Sequence, residues 1–430
     1  MRRINKYLDR YAECEAALAQ QLFEQCPRPA YQRVVVIPAF DETKGFCKRL
    51  MRHPDADTTL LIAVINRPCD DAVSAAGKRS RALWSELVSH TTELANRAHL
   101  HLRTVNIDNR NLDILLIDHC TGSRCLPAAE GVGRARKCGA DAALALIRCQ
   151  QIRCDWIYST DADAWLPDNY FAPRREDRDV AAIHCGFEHF SVTGTGIAQQ
   201  LYDLGMHFYV SGLAHAGSPY AHYSLGSALI INALHYAAVR GFPRRPAGED
   251  FYLLNKLAKV GRIEHDLTIT IRLEERESRR TPYGTGPAVR RIAQLDNPER
   301  DHAFYHPEGF ELLKIWLQCA ETANSERAFI TRQGAHAWLH QQRQLQPYRL
   351  AVITALDELG MIEFLDRALK TYSSKSQFLH QFHGHFDALK TLRFIHALRD
   401  HALGTVNAAT ARIWLAQWAD ARSKPMLSEP

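Results

Sequence analysis

The segment Trp156-Ile157-Tyr158-Ser159-Thr160-Asp161-Ala162-Asp163-Ala164-Trp165-Leu166-Pro167 ends a short apolar run and then presents two carboxylates two residues apart. At the end of a strand such a pair reaches one hard cation, and that cation in turn binds the phosphates of a nucleotide. The plainer reading is a loop of solvated aspartates with a helix cap, but the apolar strand directly before the pair favours the metal. A second acidic pair, Glu249-Asp250, follows Gly241-Phe242-Pro243 and Gly248 and opens an apolar-periodic stretch that runs to Gly261. The helix dipole alone favours acids in a first turn. A chemical reading makes one acid a general base and gives its partner a hydrogen bond to substrate. The third signal is Gly131-Val132-Gly133-Arg134-Ala135-Arg136-Lys137-Cys138-Gly139, where glycines lead into a basic helix. Backbone N–H groups and arginine there suit a diphosphate, and a helix with a solvated basic face is the alternative. The stretch is not a dinucleotide fingerprint, because Arg136 replaces the last glycine and no strand precedes it; nor does it contain the G-K-[ST] of a P-loop.

These groups need a scaffold to bring them together. Arg33–Pro38, Leu60–Ile65, Asp113–Ile117 and Trp156–Ser159 are short apolar or β-branched runs, the signature of buried parallel strands. Helical spacing fills Ala75–Leu94 and Gly133–Arg148 between them, and a leading helix is expected over residues 4–25. Alternating strands and helices predict an α/β sheet with ligands beyond the carboxyl ends of its strands. After about residue 307 the texture turns helical, in Leu312–Cys319, Leu350–Leu359 and Phe378–Leu403. The expected organisation is an N-terminal helix over 1–30, an α/β domain over 31–306 and a helical domain over 307–430.

Composition narrows the class. Hydrophobic residues at 46% and charged residues at 23% match a globular chain and exclude disordered tails, collagen and coiled-coil rods. A net charge of +5 over 430 residues is too dilute for a nucleic-acid partner and suits an anionic small ligand. The amphipathic N-terminus has no secretory h-region, and no apolar run reaches the roughly 18 residues of a membrane span. The 11 cysteines are scattered without a C-x-x-C pair, which predicts reduced thiols and a soluble cytoplasmic protein.

Together the motifs resemble a known pattern. Val35-Val36-Ile37-Pro38-Ala39-Phe40-Asp41-Glu42 is similar to the first strand and loop of family-2-type glycosyltransferases, which often read V-I-P-A-Y-N-E. Gly133–Gly139 resembles their G-x-A-R-x-x-G helix, Asp161-Ala162-Asp163 their D-x-D motif, and Gly241-Phe242 with Glu249-Asp250 their G-G-F…E-D segment. The four motifs occur in the family's order over residues 31–285. The resemblance implies a GT-A, Rossmann-like fold with a mixed, mostly parallel sheet. It also implies a hexosyltransferase-like enzyme that uses a nucleotide-diphospho-sugar donor, a carbohydrate or small hydroxyl acceptor, and Mn²⁺ or Mg²⁺.

By that resemblance Pro38, Ala39 and Glu42 line the nucleoside pocket, and Asp70 or Asp71 stands in for the family's acidic loop after the second strand. Arg136 approaches the diphosphate or the sugar, Asp161 contacts ribose or sugar, and Asp163 binds the metal with Asp161. Asp250 is the base of an inverting reaction, with Glu249 as the alternative. Arg279, in a segment that resembles an S-x-R…G-x-G loop, adds a cation to the leaving group, and His302, or else His306, is a candidate third metal ligand. An insertion over about 72–130 carries an extra strand at Ile114–Ile117.

His380, His383 and His385 cluster in one stretch but read as a helix face. The C-terminal helices are a place for acceptor binding or homo-oligomer contacts. Competing readings are nucleotidyl transfer on a related fold, a D-x-D phosphatase and a non-catalytic sugar-nucleotide scaffold. The phosphatase type carries its acids on the first strand, whereas three candidate strands precede Asp161.

Overall fold

The computed structural model describes residues 2–71, 74–107, 110–172, 177–191, 196–275 and 284–423. The chain forms two compact units, one of residues 1–195 and 224–288 and the other of residues 196–223 and 289–430. In chain order the first unit runs α1 (Arg2–Arg10), α2 (Cys14–Gln25), β1 (Arg33–Ala39), α3 (Gly45–Met51), β2 (Thr59–Asn66), α4 (Ala75–Ser89), β3 (Thr92–Arg97), β4 (Leu100–Ile107), β5 (Arg110–His119), α5 (Gly131–Arg148), β6 (Trp156–Ser159), β7 (Ala164–Trp165) and β8 (Val180–Phe190). Next comes α6 (Ile197–His215), in the second unit. The chain then returns to the first as β9 (Leu229–Asn232), α7 (Ala233–Ala238), α8 (Glu249–Leu257) and β10 (Arg262–Glu274).

One sheet of ten strands, ordered β3-β4-β5-β2-β1-β6-β9-β8-β10-β7, organises the first unit. Pairing is parallel among β5, β2, β1 and β6 at the centre and between β8 and β10. The other pairs are antiparallel, so the sheet is mixed. With its flanking helices and the helical C-terminal region, this is the mixed α/β fold expected from the sequence. The central strands are strands for a simple reason: β2 is Thr-Leu-Leu-Ile-Ala-Val-Ile-Asn with every residue buried, and β-branched side chains pack well on a pleated, water-free surface. Pro38 is tolerated in β1 because β6 pairs with β1 only at Val35 and Val36, so no ladder bond to β6 is lost beyond them.

Helix α5 packs against β1 and β2 and is buried from Gly133 to Ile147 at every position but Arg134. Three of those buried residues, Arg136, Lys137 and Asp141, are charged. Buried charges persist only when paired and hydrogen-bonded. Lys137 Nζ lies 2.8 Å from Asp141 Oδ2, and Asp141 also accepts from Tyr7 Oη at 2.5 Å, Tyr236 Oη at 2.8 Å and the Glu13 N–H at 2.8 Å.

Several sequence expectations are corrected here. The leading helix is two helices, broken where the Glu13 N–H turns to Asp141. The first 30 residues do not stand apart, since Ile4, Tyr7, Leu22 and Phe23 share one apolar core with β1, β2 and α5. The helix expected to reach Leu94 ends at Ser89, where the buried Arg103 of β4 donates to the carbonyls of Val88 and Thr91 at 2.8 and 2.6 Å and so caps the helix end. The strand placed in an insertion is β5, which lies parallel to β2 over seven residue pairs, Leu60 to Asn66, and belongs to the framework of the sheet. Two cysteines are not free: Cys69 and Cys125 form a disulfide between the loops that follow β2 and β5, while the other nine are free thiols.

The second unit begins earlier in the chain than residue 307 and is discontinuous. Leu201, Phe208 and Leu213 of α6 share its core with Phe310, Trp316, Trp338 and Trp418. Phe208 meets Phe310 edge-on at 5.7 Å and Trp418 at 5.1 Å. Aromatic burial on that scale is what holds α6 to residues far along the sequence. Among the described residues, no helix is long and apolar enough to cross a membrane.

Candidate active site

Strand β6 is short because the chain leaves the ladder at Thr160, whose N–H donates to the Val36 carbonyl at 3.1 Å. The acidic turn follows at once, closed by the Ala164 N–H on the Asp161 carbonyl at 3.2 Å. Arg49 of α3 fixes its far side, donating from Nε to the Ala164 carbonyl at 3.1 Å and from Nη2 to the Ala162 carbonyl. Asp161 and Asp163 are thereby held beyond the carboxyl end of a parallel strand, both partly exposed.

Glu249 and Asp250 form the first turn of α8. Arg136, on the second turn of α5, ties the two acidic segments together. Its Nε donates to Glu249 Oε1 at 2.8 Å, its Nη2 to Asp161 Oδ1 at 2.6 Å and its Nη1 to Ser159 Oγ at 3.0 Å. The guanidinium lies flat against Gly226: a Cβ there would sit 2.6 Å from Arg136 Nη2 and 2.9 Å from its Cζ. Only glycine permits that approach.

This geometry revises the sequence reading of Arg136. The side chain is 3% exposed, and all three of its nitrogens are hydrogen-bonded to protein, so it orients the acids instead of offering itself to a diphosphate. The glycines before it change meaning too. The Gly133 N–H donates to the Arg245 carbonyl at 3.0 Å, and a Cβ on Gly133 would meet the Pro243 carbonyl at 2.4 Å. The close neighbour at Gly133 is the chain's own loop leading to Glu249, which takes the place a phosphate was expected to fill.

Among the described residues one cation, Arg136, faces three acids, and burial and the crowding of negative charge show in the protonation of two of them, Glu249 and Asp250. Burial, and then the charge of Asp250, push the Glu249 carboxyl up to about 7, although Arg136 pulls it down. Burial also raises Asp250, with Asp161 adding to it, against the lowering effects of Arg136 and the N–H groups of Phe251 and Gly226. For Arg136 burial disfavours the charge, but Asp161, Glu249 and Asp250 outweigh it and hold the guanidinium above its ordinary value. The cluster therefore has room for a proton or a second cation. Around it, among the described residues, the buried oxygens Thr160 Oγ1, Ser227 Oγ and Asn66 Oδ1 have no hydrogen-bond partner.

The other candidates from the sequence are placed as follows. Pro38 and Ala39 are buried at the end of β1, and Glu42 is partly exposed in the turn beyond it. In that turn Asp41 has φ 59° and pairs with Arg79 of α4 at 2.5 Å. Asp70 is exposed on the loop after β2, next to the Cys69–Cys125 disulfide. Arg279 lies outside the described residues. His302 lies in the second unit, its ring edge-on to Phe304 at 4.8 Å. Among the described residues, no set of three His, Cys, Asp or Glu ligand atoms within 4.8 Å of one another contains His302, Asp161 or Asp163.

Of the histidines near residue 383, His385 stacks on Phe364 at 4.2 Å, the His383 ring meets Phe382 edge-on at 5.3 Å, and His380 is exposed on its helix. Sequence reasoning missed Ser159, Gly226 and Arg49. Of these only Gly226 left a signal, a Gly-Ser pair after an aromatic run.

The fit to a divalent ion rests on the acids themselves. Asp161 and Asp163 are oxygen donors at a strand end in a locally over-negative cluster, the donor chemistry for Mn²⁺ or Mg²⁺, which binds through one or two carboxylates plus substrate phosphates.

No family model and no curated protein matches this sequence. Among solved structures, the chain is similar to a crystal structure of GalNAc-T7 with UDP, GalNAc and Mn²⁺, at a TM-score of 0.31 and 11% identity over 57% of this chain. The match spans 44% of that protein, less than half its length. At so low a score the basis for function remains the residues and the sheet.

Proposed function

We propose that this chain is a glycosyltransferase that moves a sugar from a nucleotide-diphospho-sugar to a hydroxyl of a carbohydrate or small acceptor. The observation that carries the reading is Arg136, which joins the acid at the end of β6 to the acid pair opening α8, with Asp250 left partly open beside it. Pro38 and Ala39 end β1, and Glu42 and Asp70 lie beyond the carboxyl ends of β1 and β2, where a nucleoside is received in α/β sheets. Asp161 and Asp163 would hold Mn²⁺ or Mg²⁺, which neutralises charge on a departing diphosphate when bound.

Exposure favours Asp250 over Glu249 as the base. Glu249 is 4% exposed and bonded to Arg136, so it positions the guanidinium, whereas Asp250 can meet an acceptor. The acceptor proton passes to the Asp250 carboxylate as its oxygen bonds the sugar carbon from the face opposite the leaving group. The bond from that carbon to the phosphate oxygen breaks, and the nucleoside diphosphate departs. A base whose carboxyl burial raises above the ordinary aspartate value suits proton abstraction better than a solvated aspartate would.

Calorimetry with UDP, GDP, CDP and dTDP, with and without Mn²⁺, tests the reading. The expected result is Mn²⁺-dependent binding of one diphosphate, lost in Asp163→Ala and kept in Asp250→Asn. Binding of none by the wild type would overturn it.

A further inference from the structure

Away from the acidic cluster, four segments of the first unit bring a different donor set together. Cys14 and Glu15 begin α2, His99 lies in the turn between β3 and β4, His119 ends β5, and Cys138 is in the middle of α5. Glu15 is 1% exposed. Its Oε1 accepts from His99 Nε2 at 2.8 Å and from His119 Nε2 at 2.9 Å, while its buried Oε2 has no partner among the described residues. The ligand atoms of Glu15, His119 and Cys138, all three buried, lie within 4.8 Å of one another, and so do those of Cys14, Glu15 and His99.

We propose that Glu15, His119 and Cys138 bind a zinc-type divalent ion, with His99 as the fourth ligand. The chemistry of the donors argues for it. A thiolate, an imidazole and a carboxylate form the mixed S, N and O set that a tetrahedral Zn²⁺ takes, and the sulfur disfavours Mg²⁺ or Ca²⁺. Tetrahedral zinc ligands stand about 3.3–3.6 Å apart, so a set already within 4.8 Å needs only a small contraction. Charge argues for it as well. The Cys138 thiol proton leaves on binding, and thiolate plus carboxylate balance the dication, so the filled site is neutral in a buried place. An orphaned carboxylate oxygen, costly where water is excluded, gains a partner. The ion would fasten α2 to β5 and α5, a structural role distinct from the Asp161–Asp163 site.

The test is titration of the chelator-stripped full-length protein with Co²⁺ as a spectroscopic stand-in for zinc. One equivalent should bind, with intense visible bands of a tetrahedral ion and a near-ultraviolet thiolate-to-metal band, and Zn²⁺ should displace it. Cys138→Ser should lose the thiolate band, His119→Gln should bind at least about tenfold more weakly, and Asp163→Ala should leave both unchanged. Failure of the wild type to bind one equivalent, or a thiolate band that survives in Cys138→Ser, would overturn the proposal.

Discussion

Arg136 and Lys137 are neighbours on one helix, both buried, both paired with acids, and their surroundings differ. Lys137 is sealed: its partner Asp141 is 0% exposed and takes four hydrogen bonds, from Lys137, Tyr7, Tyr236 and the Glu13 backbone. Arg136 is satisfied, but its surroundings are not. The Asp161 side chain beside it is 38% exposed, Asp250 is partly open, and the Thr160 and Ser227 hydroxyls lack partners among the described residues. A closed polar network fixes architecture. An open one with more acid than base marks where a ligand completes the balance.

The sharpest way to break the comparison is Asp141→Ala. It strands a buried ammonium and two tyrosine hydroxyls, and a loss of about 3–5 kcal/mol is expected for one partner removed from such a pair. A denaturant midpoint measures it, and a shift under 1 kcal/mol would mean the sealed network is not structural. Arg136→Met should cost less stability, about 1–3 kcal/mol, because Glu249 already holds a proton near neutrality and can become uncharged. It should nevertheless lose Mn²⁺-dependent diphosphate binding, read by calorimetry. Gly226→Ala drives a methyl into the guanidinium and should cost about 1–2 kcal/mol as overpacking, again with donor binding weakened out of proportion.

A last test concerns pH. Glu249 has its folded value raised from 4.5 to about 7, so the folded state holds the proton that the unfolded state releases. Its contribution is fully present below pH 4.5 and is lost as pH rises through 7. Glu249→Gln should therefore gain stability relative to wild type between those values and hold a constant difference above them. A difference independent of pH would place the stored proton on another acid.

The sequence made the central strands legible because Val, Ile and Leu runs such as Val34–Ile37 and Leu60–Ile65 have few other uses. The acids were legible for the same reason, standing directly after a strand or at a helix start. What stayed hidden depends on partners distant in the chain. Gly133 marks a close backbone approach, but a sequence cannot say whether the approaching group is a phosphate or the Pro243 carbonyl. Arg136 reads as a surface cation until α8 covers it. Cys69 and Cys125 lie 56 residues apart, and nothing in their spacing pairs them. Glu15, His99, His119 and Cys138 meet only because β5 returns beside α2 and α5.

The discontinuous second unit has a consequence for biosynthesis. Helix α6 leaves the ribosome long before residues 289–430, which hold the rest of its apolar core. Until those residues emerge, Leu201, Phe208 and Leu213 have no native partners, while β9, α8 and β10 are still being added to the first unit. The nascent chain therefore carries an exposed apolar helix through the synthesis of its own acid pair, an interval in which a chaperone would find its binding site. For the same reason no single truncation separates the units: removing everything after residue 288 leaves α6 behind without a core to enter.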